Sequence, residues 1–315
     1  MNASPNSPPA FSWDDWYSSV GGRSIQITEV DAILREIREY QYPKFNGEVN
    51  PHQTVFESPE TAAAWIKKKA FELGADEVGV AEIEPTDIYK NRVVHEKYAI
   101  VVAQKMLWRN FQEVPSRESA IECLRIYFSL GEVVIKLADH IRELGYACTV
   151  EHPIGDSDVL HVPLALKAGF GELGRHGSII HPKMGPLFRL GSVITDMPLQ
   201  IDSPIDAGIA AFCDTCKACR IYCPANAIPD HRSPEAGKDH LGNDRYMVDT
   251  GKCFPYFAKH NYCSICLPVC VYHHKEWARD FEGFKTNLFP EVDMTTPPPA
   301  TDPDVPKHWY PHIKR

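Results

Sequence analysis

The chain has 315 residues, 33 Lys plus Arg against 42 Asp plus Glu, a formal net charge of −9, and 43% hydrophobic residues. That length suits one large domain or two modest ones with a real core, and charged and aromatic fractions of 24% and 10% exclude wholesale disorder. The acidic balance, with no basic run beyond Lys67-Lys68-Lys69, excludes an electrostatic nucleic-acid footprint.

No stretch approaches the ~20 apolar residues of a membrane span. The opening MNASPNSPPAFSWDDWYSSVGG has no basic start, apolar h-region or Arg-Arg pair, so no export leader is read and a cytoplasmic chain is expected. In such a reducing compartment, 10 cysteines are metal ligands, catalytic groups or buried thiols rather than disulfides.

Residues 1–57 are Pro- and Asn-rich and read as an arm or cap with one amphipathic helix, Val30 to Tyr40. From Ser58 a capped helix runs with Pro59 at its first position and Gly74 as its stop. Residues 76–83 and 97–104 read as strands, and 116–144 as a long helix with Gly131 as a candidate break. Strand 146–151, a short helix over 159–167 and strand 188–197 follow, giving a mixed layer with a covered sheet over residues 58–200. Residues 201–286 form a second module, since eight cysteines between Cys213 and Cys270 replace long apolar periods. Residues 287–315 are a Pro-rich, extended tail.

Cys213, Cys216, Cys219 and Cys223 are spaced C-x2-C-x2-C-x3-C and followed by Pro224. In such a run three thiolates meet one [4Fe-4S] cube and the fourth reaches a second cube. Cys253, Cys263, Cys266 and Cys270 make the second set, C-x9-C-x2-C-x3-C. The expected assignment is interleaved: Cys213, Cys216, Cys219 and Cys270 on one cluster, and Cys253, Cys263, Cys266 and Cys223 on the other. A pair of zinc sites is the competing reading, although three cysteines at successive steps of three match one tetrahedron poorly. The nine-residue spacer and Val271, where Pro usually follows, depart from a plain ferredoxin without removing a ligand. Cys123 and Cys148 read as buried thiols.

Five glycines, Gly169, Gly171, Gly174, Gly177 and Gly185, crowd seventeen residues. They suit either close backbone approach to a large flat ligand or a tightly packed connection. The stretch LKAGFGELGRHGSIIHPKMGPLFRLGSVITDMPL (166–199) resembles the corrinoid-binding core of reductive dehalogenases and, more distantly, of epoxyqueuosine reductases. IYFSLGEVVIKLADHIRELGY (126–146) resembles the dehalogenase helix that ends in I-R-x-L-G-Y.

The resemblance implies an α+β fold: a nitroreductase-like α/β corrinoid-binding domain followed by a bacterial-type ferredoxin-like module carrying two [4Fe-4S] clusters. Cobalamin is then expected beside Gly169, Gly171, Gly174, Arg175, His176 and Gly177. Reduced cobalt would attack or bond the halogen of an organohalide, with electrons from a separate ferredoxin, flavodoxin or reductase. Tyr127, fourteen residues before Ile141, matches the family's proton donor, and Arg189 matches the basic residue that favours its phenolate. Asp156 stands near a position where dehalogenases usually have Asn, with Asp158 competing; it is expected to contact substrate or donate a proton, and a turn-capping role is the alternative. Two other functions stay open: an epoxyqueuosine-reductase-like reduction of another activated group, and a two-cluster electron carrier without catalysis.

Overall fold

The computed structural model describes Ser12, residues 25–155 and residues 157–273. Most of the expected arm before residue 25, Asp156, residues 274–286 and the Pro-rich tail lie outside the described residues.

The first helix, α1 (Thr28–Glu36), passes into a π-turn at Ile37–Gln41. The wider turn carries Gln41 into the interior, where it is fully buried. Helix α2 (Pro59–Glu72) starts as the sequence reading expects: Ser58 and Thr61 cap each other reciprocally, and Pro59 holds the first position. Its buried stripe of Ala62, Ala63, Ile66 and Ala70 has helical spacing.

Strands β1 (Glu77–Glu82) and β2 (Tyr98–Lys105) pair antiparallel, from Glu77 opposite Ala103 to Glu82 opposite Tyr98. Helix α3 (Arg117–Glu143) is 27 residues long and opens on the Ser116–Ser119 capping box. The expected break at Gly131 does not occur. A Cβ there would strike His152 Nε2 and lie 2.6 Å from Gln41 Oε1, so the glycine is a notch that lets the π-turn and the β3 end pack onto an unbroken helix.

Strand β3 (Cys148–Glu151) and the later β6 (Phe188–Thr195) complete one antiparallel sheet in the order β1-β2-β6-β3. The period-2 alternation sorts its two faces. Val78, Val80, Ile100, Val102, Val150 and Val193 pack under α2 and α3. Ala81, Ala99, Val101, Ala103 and Ile194 face the opposite layer, around α4 (His161–Lys167). Both faces are covered, and each fully buried Val or Ile contributes about 1.5–3 kcal/mol.

The I-R-x-L-G-Y signature docks the preceding chain. Arg142, 4% exposed, donates to the carbonyls of Phe45 and Cys148. Tyr146 donates its hydroxyl to the Thr54 carbonyl at 2.8 Å.

The hairpin β4 (Glu172–Leu173) and β5 (Ile179–Ile180) is built from the glycine-rich segment. The cysteine region contains short pieces: α5 (Ile209–Thr215), α6 (Ala218–Ile221), the hairpin β7 (Ser233–Lys238) with β8 (Asp244–Arg245), and α7 (Thr250–Lys259). None of the described helices is long and apolar enough to cross a membrane.

Candidate redox site

Cys123 and Tyr127 lie one turn apart on α3, so they share a face. Arg189, the second residue of β6, reaches that face from the sheet. Its guanidinium stands over the Tyr127 ring, 5.0 Å from the centroid, and Nη2 donates to Cys123 Sγ at 2.9 Å. Arg189 Nε is buried without a hydrogen-bond partner. Burial opposes the charge on Arg189, but Cys123 and Tyr127 outweigh it and raise its pKa. The group therefore remains a fixed cation beside a phenol. Met106 Sδ lies 3.8 Å behind Cys123, and Met106, Cys123, Tyr127, Leu267 and Cys266 belong to one apolar cluster. The structure thus brings Tyr127 and Arg189 together and sets both near the cysteine region.

Asp156 lies outside the described residues. Its flanks are anchored: Ser157 Oγ and the Asp158 N–H both donate to Glu151 Oε2, at 2.5 and 2.7 Å. Burial raises the Glu151 pKa against the effect of these bonds. Asp158, the competing carboxylate, forms an ion pair with Arg92 at 3.3 Å.

Behind Tyr127 is a buried amide-imidazole network. Gln41 Nε2 donates to the Phe128 carbonyl at 2.8 Å and to Glu132 Oε1 at 3.0 Å, while its Oε1 accepts from His152 Nε2 at 2.9 Å. Burial pushes His152 and His161 down to about 4, so both rings are neutral. His161 Nδ1 bonds Ser192 Oγ at 3.1 Å, and its Nε2 is buried without a partner.

The glycine-rich segment faces the protein's own backbone. Gly171 has φ +152°, and a Cβ there would overlap the Ile180 carbonyl. At Gly169 a Cβ would lie 2.6 Å from the Ser203 carbonyl oxygen. Gly174 and Gly177 close the hairpin turn: the Gly174 N–H donates to Ser178, and the Gly177 N–H to Gly174. His176, also held down to about 4 by burial, accepts from the Ser178 N–H and leaves Nε2 without a partner.

Arg175 is 1% exposed and directed wholly into the cysteine region. It donates to the carbonyls of Cys213, Asp214, Cys216, Pro229 and Asp230, and lies over Tyr246 at 4.4 Å. Glu172, equally buried, accepts the N–H groups of Ala207, Ile209 and Ala210, the start of α5. Arg175, expected to border a ligand, is therefore spent on fixing the loop that carries Cys213 and Cys216. The sequence reading missed Glu172; it read Cys123 as a buried thiol, which it is, but not its contact with Arg189. The signals were faint: a carboxylate three residues before Arg175, and a thiol four residues before Tyr127.

The eight thiols fall into two neighbourhoods. Burial raises the Cys219 thiol, and the neighbouring thiols of Cys213, Cys270, Cys216 and Cys266 add to the rise. Burial likewise raises Cys266, followed by Cys263, Cys253 and Cys223. Cys213 is pushed up to about 12 and Cys263 to about 11, each mainly by burial. The two groups adjoin: Cys266 also acts on Cys219 and Cys270, and Cys219 packs in one apolar cluster with Cys223 and Cys266. Cys213, Cys216, Cys219 and Cys270 are 7–8% exposed, whereas Cys223, Cys253 and Cys263 are half-buried. Among the described residues no three His, Cys, Asp or Glu side chains converge as holders of one metal ion.

A phenol beside a fixed cation, with two groups of thiols behind it, is the equipment of redox chemistry, and the chain's named relatives are oxidoreductases. A tetrachloroethene reductive dehalogenase of Desulfitobacterium hafniense is 32% identical over 234 residues, 71% of this chain and 42% of the relative. The epoxyqueuosine reductase of Salmonella typhimurium is 31% identical over 121 residues, 38% of this chain and 27% of that one. Among solved structures, a catabolic reductive dehalogenase in complex with 3-bromo-4-hydroxybenzoic acid superposes with TM-score 0.69 at 26% identity, covering 78% of this chain and 37% of that chain. No protein-family profile matches. The chain is similar to the reductive dehalogenases, with epoxyqueuosine reductase a more distant relative, and spans less than half the length of the dehalogenases it matches.

Proposed function

We propose that this chain is a corrinoid-dependent iron-sulfur reductase that carries out reductive dehalogenation of an organohalide. In this reading residues 58–200 are a nitroreductase-like α/β domain, residues 201–286 a ferredoxin-like module with two [4Fe-4S] clusters, and residues 1–57 an arm. The observation that carries it is the Arg189 guanidinium over Tyr127, inside an apolar cluster that also includes Cys266. The reaction is R–X plus two electrons and one proton giving R–H plus halide.

The donor sets fit their groups unequally. Two neighbourhoods of four thiols suit two cubes, which hold their thiolates farther apart than a single ion does. Cys213, Cys216, Cys219 and Cys270 would hold the first, and Cys223, Cys253, Cys263 and Cys266 the second. For cobalamin the unspent N–H of Arg189 and the half-buried Tyr127 offer a polar edge, whereas Gly169, Gly171 and Arg175 are occupied by the protein itself. Within the segment 169–177, His176, whose buried Nε2 has no partner, is the side chain left that would meet the corrinoid. When bound, cobalamin supplies a reducible cobalt that engages the carbon–halogen bond.

Tyr127 supplies the proton. Arg189, whose charge burial does not remove, stabilises the phenolate left behind, and Cys123 holds the guanidinium in place. Clusters held by the cysteines of the two sets would pass electrons one at a time from a separate donor, a ferredoxin, flavodoxin or reductase, in the cytoplasm. Asp156, next to the anchored Ser157, is assigned to contact substrate or donate a proton.

Tyr127→Phe is expected to retain iron and cobalamin yet lower halide release by about 10²–10⁴-fold. Bromophenols and chloroethenes are suitable probes, assayed anaerobically with a strong reductant. Undiminished halide release would remove Tyr127 from the mechanism.

A further inference from the structure

The geometry points to Arg175 as a positioning residue that sets the reduction potential of the first cluster, an inference that rests on the iron-sulfur reading of Cys213, Cys216, Cys219 and Cys270. Its guanidinium is buried to 1% and bonds five backbone carbonyls of residues 213–230, two of them from the ligand residues Cys213 and Cys216. Among the described residues it has no carboxylate partner, unlike its neighbour Arg232, which pairs with Asp214 at 2.5 Å. A buried cation without a counter-anion is costly. A cube ligated by four thiolates carries net negative charge in each of its ordinary redox states, and it would stand beside the loop whose Cys213 and Cys216 carbonyls Arg175 holds.

Two consequences follow from one placement. The fork fixes the loop so that both thiols meet one cube. Its charge also favours the more negative, reduced cluster, and cluster potentials respond to nearby charge, hydrogen bonding and solvent access. Tyr246 lies beneath the guanidinium, and Glu172 separately holds the start of α5, the helix that carries Cys213. Arg175 bonds none of Cys223, Cys253, Cys263 or Cys266, so the second cluster is expected to feel its charge less.

The test is an anaerobic redox titration of the reconstituted full chain, with both clusters followed by electron paramagnetic resonance, in the wild type, Arg175→Lys and Arg175→Gln. Iron content is measured on the same samples. The expected result is a shift of the first midpoint to more negative potential, larger in Arg175→Gln than in Arg175→Lys, with the second midpoint moved less. An unchanged first midpoint in Arg175→Gln with full iron overturns the inference. Should Arg175→Gln fail to load, Arg175→Lys decides: its ammonium cannot span the same carbonyls, so a smaller negative shift supports the inference and none overturns it. A wild type that forms no [4Fe-4S] signal fails the underlying cluster reading, which is a distinguishable outcome.

Discussion

The sheet half and the cysteine half of this molecule are stabilised by different forces. Residues 59–195 bury alternating Val, Ile and Ala on both faces of four strands, a core that would persist without any ligand. Residues 209–273 have short helices, a two-strand hairpin and small apolar clusters that include Cys213, Cys219 and Cys270. There, order comes from the polar pins Glu172 and Arg175 and from whatever the thiols bind. The contrast teaches that one segment, the β4–β5 hairpin, belongs to both regimes. Its apolar Phe170 and Ile179 pack under the sheet, while its charged residues hold the cysteine loop.

The largest effect expected from this contrast is at Cys223. It follows the first three cysteines in sequence but stands in the neighbourhood of Cys253, Cys263 and Cys266. Cys223→Ser is predicted to lose the second cluster, about half the iron, while hydrogen exchange in β1 and β2 stays unchanged. Loss of the first cluster, or loosening of the sheet, would break the division between the halves.

A smaller effect comes from acid. His152 and His161 titrate near 4 when folded, against an ordinary 6.5. Between those values the unfolded chain binds more protons, so stability is full above pH 6.5 and falls as pH drops toward 4, by on the order of 3 kcal/mol per imidazole at most. Urea unfolding monitored at β2 and α3 amides should show the fall. A flat stability from pH 7 to 4.5 would mean that these rings are not buried as described.

Smaller still is Gly131→Ala. The added methyl meets His152 and Gln41, and overpacking of this kind costs about 1–3 kcal/mol. Helix propensity alone would make Ala stabilising, so the sign of the change in melting temperature separates notch from neutral glycine.

Much of the sheet half was legible because burial leaves a period. Ser58, Pro59 and Gly74 bound α2 as read, and the strands fall within one or two residues of their expected limits. Gly131 misled because a glycine inside a helix signals a break locally, whereas its cause here is His152, twenty-one residues away in sequence. The cysteine spacing marked the candidate ligands, because ligands are named by residue type and step. Arg175 did not announce its partners: a cation in a glycine-rich turn looks the same whether it meets a ligand or five carbonyls forty residues on. The contact of Cys123 with Arg189 joins a helix to a strand, and no local pattern encodes it.

The most direct test is metal analysis of the chain reconstituted anaerobically with iron, sulfide and cobalamin. About eight irons and roughly one cobalt per chain are predicted. Eight irons with no retained cobalt would leave an electron-transfer module and contradict the proposed dehalogenation.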